Sequence, residues 1–345
     1  MTTIPRILLI YTGGTIGMVK DFNTGALRAF NFDELLKHIP EINLLKCAIS
    51  SISFKEPIDS SNMNITNWVE ISEIIEENYE KFDGFVVLHG SDTMSYTASA
   101  ISFMFENLSK PIIFTGSQLP IGDLRTDAKE NLITSIEIAS TQENGKPIVS
   151  EVGLYFEYKL YRANRTTKIN AEHFEAFTSP NFPPLGESGV HLKFNKQLIY
   201  KSTEIKALKV RKQLNNNVTI LKIFPGITEI VVESILNSNG LKGVILETYG
   251  SGNAPTEKWF IDLLKSTIDK GVYIVNVTQC IGGSVMMGHY ETSIELQKLG
   301  VICGYDITTE SALAKLMYLL GGNIPKNEFK SFFEKELRGE MTVVE

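Results

Sequence analysis

The sequence predicts an α/β protein of two domains: a larger N-terminal domain on a doubly wound, mostly parallel sheet, and a smaller C-terminal α/β domain. Three observations carry that prediction. Apolar runs of strand length alternate with helical patterns along most of the chain. Its 345 residues exceed what a single core usually supports. A polar stretch over residues 195–217, with scattered lysines and the run Asn215-Asn216-Asn217, interrupts the alternation. The expected organisation is therefore an N-terminal domain over 1–194, a linker over 195–217 and a C-terminal domain over 218–345.

Taken in order, Ile7 to Tyr11 reads as the first strand. It runs into Thr12-Gly13-Gly14-Thr15-Ile16-Gly17-Met18, a glycine turn with two hydroxyls at a strand's carboxyl end. Open α/β sheets build their sites at such ends. Thr12 or Thr15 could act as a nucleophile there, or both could bond their own backbone. A strand-like stretch ending near Phe54 leads to Asp59-Ser60-Ser61, followed by a helix near 66–81 led by Trp68, Ile71, Ile75 and Tyr79. Phe85 to Leu88 is the next strand, and His89-Gly90-Ser91-Asp92-Thr93 follows it. Met94, Ala98, Ile101, Phe105 and Leu108, at spacings of four and three, then mark the face of a helix near 92–107. That places Ser91 or Asp92 at the helix N-cap, where the carboxylate could simply cap free N–H groups instead of serving a site. Ile112 to Thr115 and Val152 to Phe156 read as strands around a helix near 127–140, with Ser117 just past the end of the former. Past the polar stretch, strands are expected at Val218 to Phe224, Gly243 to Glu247 and Val272 to Val277, and helices near 228–238, 256–270 and 309–320.

Composition narrows the function. The formal net charge of −7 is spread out with no Lys/Arg-rich run, which argues against nucleic acid and against an anionic membrane surface. No apolar run reaches the roughly 18 residues that span a bilayer. The opening Met1-Thr2-Thr3-Ile4-Pro5-Arg6 lacks the apolar core of a signal peptide, so the expected location is the cytoplasm. Cys47, Cys280 and Cys303 suit reduced thiols packed as small apolar groups. The five histidines, His38, His89, His173, His191 and His289, show no paired ligand spacing, so no metal is expected. His89 is expected to orient its loop. The glycine turn at 13–17 falls short of a dinucleotide fingerprint, and no cofactor is implied.

Eight segments, in order, carry a resemblance: TGGTIGM at 12–18, DSSNM at 59–63, LHGSDTMSYTASAISFM at 88–104, TGSQLP at 115–120, YRANRTTK at 161–168, SPNFPPL at 179–185, YGSGNAP at 249–255 and LRGEMT at 337–342. With these the sequence resembles the bacterial-type L-asparaginases, and more closely their cytoplasmic type I branch. The resemblance implies that Thr15 attacks the side-chain amide of L-asparagine, forms an acyl-enzyme ester and releases ammonia. It implies that Ser91 pairs with Lys168 acting as a base, while Asp92 binds the substrate's α-ammonium. Asp59, Ser60 and Ser61 are expected to grip the α-carboxylate, and Ser117 to stand near the amide end. Read without the resemblance, Lys168 is an ordinary surface charge. The resemblance also implies a homodimer or a dimer of dimers.

The sequence departs from the family pattern at three places. Ser91 stands where most members carry threonine. The loop Asn23-Thr24-Gly25-Ala26-Leu27 has no tyrosine to serve the nucleophile, and Tyr305 is the candidate replacement. Glu247 stands where members with an allosteric asparagine site tend to carry arginine, so that regulation is expected to be weakened or absent. Two alternatives stay open: a broader glutamine or asparagine amidohydrolase, acting on the free amino acid or an amidated tRNA, and a non-catalytic amino-acid-binding homologue. The tRNA-linked relatives carry an added N-terminal domain, whereas this sequence opens at its first strand.

Overall fold

The computed structural model describes residues 4–20, 27–29, 39–200, 206–288 and 291–343. The loop positions 23–26, His38, His289 and part of the polar stretch, 201–205, lie outside the described residues. The chain divides into two compact units, Met1–Lys212 and Gln213–Glu345.

In the first unit an eight-stranded sheet is built from β1 (Arg6–Gly13), β2 (Ala48–Ile58), β3 (Gly84–Leu88), β4 (Ile112–Thr115), β5 (Val152–Phe156), β6 (Lys159–Arg162), β7 (Gly186–Ser188) and β8 (Leu192–Phe194). The spatial order is β8-β7-β6-β5-β4-β3-β1-β2. The five strands from β2 to β5 in that order run parallel, and β6, β7 and β8 add on antiparallel. The sheet is mostly parallel, as the alternation predicts. Among the described residues this unit has three α-helices: α1 (Ile65–Asn78), α2 (Met94–Met104) and α3 (Ala128–Ser140).

Burial on both faces explains why the parallel strands are continuously apolar. Ile7, Leu9, Val86, Leu88 and Ile113 share one buried cluster with Leu132 and Ile136 of α3. Leu8, Ile10, Phe85, Val87 and Phe114 point the other way and are equally buried, and the Tyr79 ring at the end of α1 stacks on Phe85. Each such aliphatic side chain contributes about 1.5–3 kcal/mol relative to exposure. α1 starts on a capping box between Asn64 and Asn67. The predicted helix over 92–107 is shorter than its periodicity suggests. It ends at Met104, and Phe105–Glu106 turns extended to pair with Lys209–Val210. Tertiary pairing overrides the local pattern at that end.

The second unit holds a parallel sheet in the order β9 (Val218–Lys222), β10 (Gly243–Thr248), β11 (Tyr273–Thr278) and β12 (Ile302–Cys303). Its helices are α4 (Glu229–Leu236), α5 (Lys258–Asp269), α6 (Glu291–Leu299), α7 (Thr309–Leu320) and α8 (Phe329–Glu334). The LRGEMT segment closes against α7. Lys315 of α7 donates to Glu340, whose carboxylate also receives the backbone N–H groups of Leu337 and Arg338. Both Lys315 and Glu340 side chains are fully buried.

All three cysteines are free. Cys303 is buried, but Cys280 is exposed, against the packing expectation. No described helix is long and apolar enough to cross a membrane.

Candidate active site

Parallel strands bring their carboxyl ends to one edge of the sheet, and four loops of the first unit leave from that edge. Thr15 follows β1, Asp59 to Ser61 follow β2, Ser91 and Asp92 follow β3, and Ser117 follows β4. Residues distant in sequence are thereby collected in one place.

The loops are pressed together at backbone distance. Gly14 has φ +85°, and a Cβ there would lie 2.5 Å from both the Cα and the N of Gly90. A Cβ on Gly90 would in turn lie 2.5 Å from Ser60 Oγ. Only glycine tolerates that conformation and that approach together. Thr93 Oγ1 donates to the Ser60 carbonyl at 2.7 Å, tying the β2 and β3 loops. Of the two threonines in the first turn, Thr12 is fully buried and donates to the Leu88 carbonyl at 2.9 Å, so its hydroxyl serves the sheet. Thr15 opens a 3-10 turn over Thr15–Gly17 and is half-buried.

Ser91 and Asp92 lie in a 3-10 turn ahead of α2, and the α2 N-cap is Thr93 with no side-chain cap bond. Neither residue is the helix N-cap, in contrast to the position read from the sequence, and the alternative of a simple capping role falls with it. Both instead meet Lys168, whose Nζ lies 2.8 Å from Ser91 Oγ and 2.7 Å from Asp92 Oδ1. Lys168 is placed by β6 and a 3-10 turn over Ala163–Arg165. It then enters a two-residue ribbon in which it pairs with Phe177. The arginines of YRANRTTK support that turn. Arg162 is held by the buried Glu151 at 2.6 Å, and both guanidinium groups lie over the Phe182 ring of SPNFPPL. The Lys168 side chain is 17% exposed and that of Asp92 67%, so the carboxylate faces solvent beside a sheltered lysine nitrogen.

The surrounding polar groups are mostly committed. Asp59 accepts from the N–H and hydroxyl of Ser61, at 2.9 and 2.8 Å, and these bonds hold its carboxyl below the usual range. Ser60 is buried, whereas Asp59 and Ser61 are exposed. Ser117 Oγ donates to the Leu119 carbonyl at 2.6 Å. His89 is fully buried and its Nδ1 lies 2.7 Å from the Gly90 carbonyl, which can only accept. Burial pushes the imidazole down to about 4, with the Gly90 bond opposing the shift, so the ring is neutral and pins the loop backbone. Tyr305 is in the second unit, where it lines a cavity of about 370 Å³ with Val285, Cys303, Lys330 and Glu334; burial pushes its phenol up. Glu247 accepts from Thr309 Oγ1 at 2.7 Å and lies 3.5 Å from Lys222.

Sequence reasoning does not single out Gln118, although it stands within TGSQLP. Its Oε1 lies 3.2 Å from Ser91 Oγ, and its Nε2 donates to the His173 carbonyl at 3.0 Å.

Residues 6–200 match the family described as asparaginase, N-terminal, and residues 217–333 match the glutaminase/asparaginase C-terminal domain. The chain belongs to the asparaginase family. It is 40% identical over 337 residues to L-asparaginase 1 of Escherichia coli K12, covering 97% of this chain and 98% of that protein. The crystal structure of L-asparaginase I from Vibrio cholerae superposes with a TM-score of 0.89 at 40% identity, covering 99% of this chain and all of that one. The mouse 60 kDa lysophospholipase is 39% identical over 360 residues, covering 98% of this chain, which spans 63% of that longer protein.

Proposed function

We propose that this family member hydrolyses L-asparagine to L-aspartate and ammonia through an ester on Thr15. The observation that carries the reading is the convergence of Lys168 on Ser91 and Asp92, in a loop whose backbone touches the turn that bears Thr15. A hydroxyl, a lysine and a carboxylate contributed from sites 76 and 77 residues apart make a proton-handling group beside a second hydroxyl.

Thr15 Oγ1 adds to the carbon of the side-chain amide, and its proton passes to the Lys168–Ser91 pair. The tetrahedral intermediate expels the nitrogen, which takes that proton and leaves as ammonia, and a β-aspartyl ester remains on Thr15. Water loses a proton to the same pair, adds to the ester carbon and releases aspartate, and the proton returns to Thr15. The exposed Asp92 carboxylate receives the substrate's α-ammonium, and the Asp59–Ser61 turn binds the α-carboxylate through hydroxyl and N–H groups. Ser117 stands at the amide end. The reaction uses no cofactor, takes place in the cytoplasm, and proceeds in a homodimer or a dimer of dimers.

The test is ammonia release from L-asparagine and L-glutamine by the parent and by Thr15→Ala. The expected result is a preference for asparagine of about 10- to 200-fold, the worth of one methylene. Thr15→Ala is expected to lose at least about 10³-fold. Release by Thr15→Ala near the parent rate overturns the proposal.

A further inference from the structure

Ser91 has one proton and two neighbours able to engage it, Lys168 Nζ at 2.8 Å and Gln118 Oε1 at 3.2 Å. Which neighbour receives the proton is decided by the far end of Gln118. Its Nε2 faces the His173 carbonyl at 3.0 Å, and a carbonyl only accepts, so the nitrogen must be on that side. The amide oxygen then faces Ser91, and an amide oxygen also only accepts. The Ser91 proton is therefore directed to Gln118, and its lone pair is left for Lys168.

The Gln118 backbone is held as firmly as its side chain. Its N–H donates to both oxygens of Asp127, at 3.1 and 2.9 Å, and the Leu119 N–H adds a third bond at 3.1 Å. Asp127 is 5% exposed and is held in turn by Asn131 Nδ2 at 3.2 Å. The same Asn131 amide donates to the Gly116 carbonyl at 3.0 Å, so the loop is fastened at both ends of Ser117.

Serine at position 91 makes this support necessary. Without a β-branch its χ1 is free among three staggered wells, whereas threonine would be confined by its own methyl group. We infer that Gln118 is a positioning residue that fixes the rotamer and proton direction of Ser91, so that Ser91 presents a lone pair to Lys168. The inference rests on the proposed role of the Ser91–Lys168 pair. It assigns Ser91 an orienting part, with its proton turned away from the lysine, and leaves the attacking hydroxyl to Thr15.

A double-mutant cycle on L-asparagine turnover tests this, with Gln118→Met, which keeps length but removes the acceptor, and Ser91→Thr, which restores the branch. Gln118→Met alone is expected to lower kcat about 5- to 10-fold, the effect of one hydrogen bond, with KM within about twofold. In the Ser91→Thr background the same change is expected to cost less than about twofold, because the branch already fixes χ1. Equal losses in both backgrounds overturn the inference while leaving the catalytic reading intact. Ser91→Ala, run beside them, separates the two. Turnover near the parent in that variant removes the Ser91–Lys168 reading itself, and the inference with it. Matching melting temperatures across the set keep folding out of the comparison.

Discussion

Of the lysines that sit against carboxylates, Lys168 and Lys315 have opposite surroundings. Lys168 and Asp92 meet at 2.7 Å with side chains 17% and 67% exposed, on loops at the open edge of the first sheet, with a hydroxyl as third member. Lys315 and Glu340 are both sealed from solvent, and the surplus bonding capacity of Glu340 is taken up by backbone N–H groups of Leu337 and Arg338. The Lys315 ammonium also reaches the Lys335 carbonyl at 2.7 Å. The sealed pair is saturated by its own chain and has nothing left to offer a ligand. The open pair has an exposed carboxylate and a neighbouring hydroxyl whose proton is directed elsewhere. Charge pairing alone does not distinguish a site from a clamp; unspent bonding capacity facing solvent does.

The largest expected contrast follows from removing each lysine. Lys168→Met should lower turnover of L-asparagine by about 10²- to 10⁴-fold, the worth of a positioned proton-transfer group, and leave the melting temperature almost unchanged. Equal losses of activity and stability would show that this pair is a clamp as well. Lys315→Met should do the reverse. It leaves the Glu340 carboxylate buried without its ammonium and should cost about 3–5 kcal/mol in urea unfolding, with kcat per folded molecule preserved. Adding Glu340→Gln to Lys315→Met should recover part of that loss, because the amide oxygen still accepts from the backbone while the buried charge is gone. A double variant no more stable than the single one would mean that the charge is not the source of the cost.

His89 gives a smaller effect and a third way of meeting the cost of burial: the group stays neutral. Its pKa falls from 6.5 to about 4 on folding. Above pH 6.5 the ring is neutral in both states and contributes no pH dependence. As pH falls from 6.5 towards 4, the unfolded chain takes up a proton that the folded chain refuses, so stability drops by up to about 3 kcal/mol and then levels off. An NMR titration of the imidazole should therefore show a midpoint near 4 in the folded protein. A midpoint near 6.5 would mean that the ring reaches solvent and does not pin Gly90 as described.

Much of the fold is legible because a buried parallel sheet writes itself as apolar runs. Ile112–Thr115 and Val152–Phe156 are strands over the residues read from the sequence, and Thr309–Leu320 is a helix over the residues expected. The antiparallel strands Lys159–Arg162, Gly186–Ser188 and Leu192–Phe194 are not legible. They are three or four residues long beyond any alternation, and their pairing is set by the neighbouring strand rather than by their own pattern. Helix Glu291–Leu299 is likewise missed, since its mean character is polar. At the candidate site, the glycine loops announce themselves by position after a strand. Nothing local marks Lys168, which reaches Ser91 only through the turn after β6, and by itself it reads as a surface charge. Gln118 is hidden for the same reason: its effect depends on where the His173 carbonyl and the Asp127 carboxylate lie in space. Arg162, Arg165 and Phe182 explain why two motif segments far from the loops accompany it, since they stack to hold the turn that delivers the lysine.

The most direct measurement is mass spectrometry of peptides from enzyme quenched in acid during turnover of L-asparagine. The expected result is an aspartyl ester on the peptide that carries Thr15, absent from Thr15→Ala. An ester on Ser91 or Thr12, or undiminished ammonia release by Thr15→Ala, would contradict it.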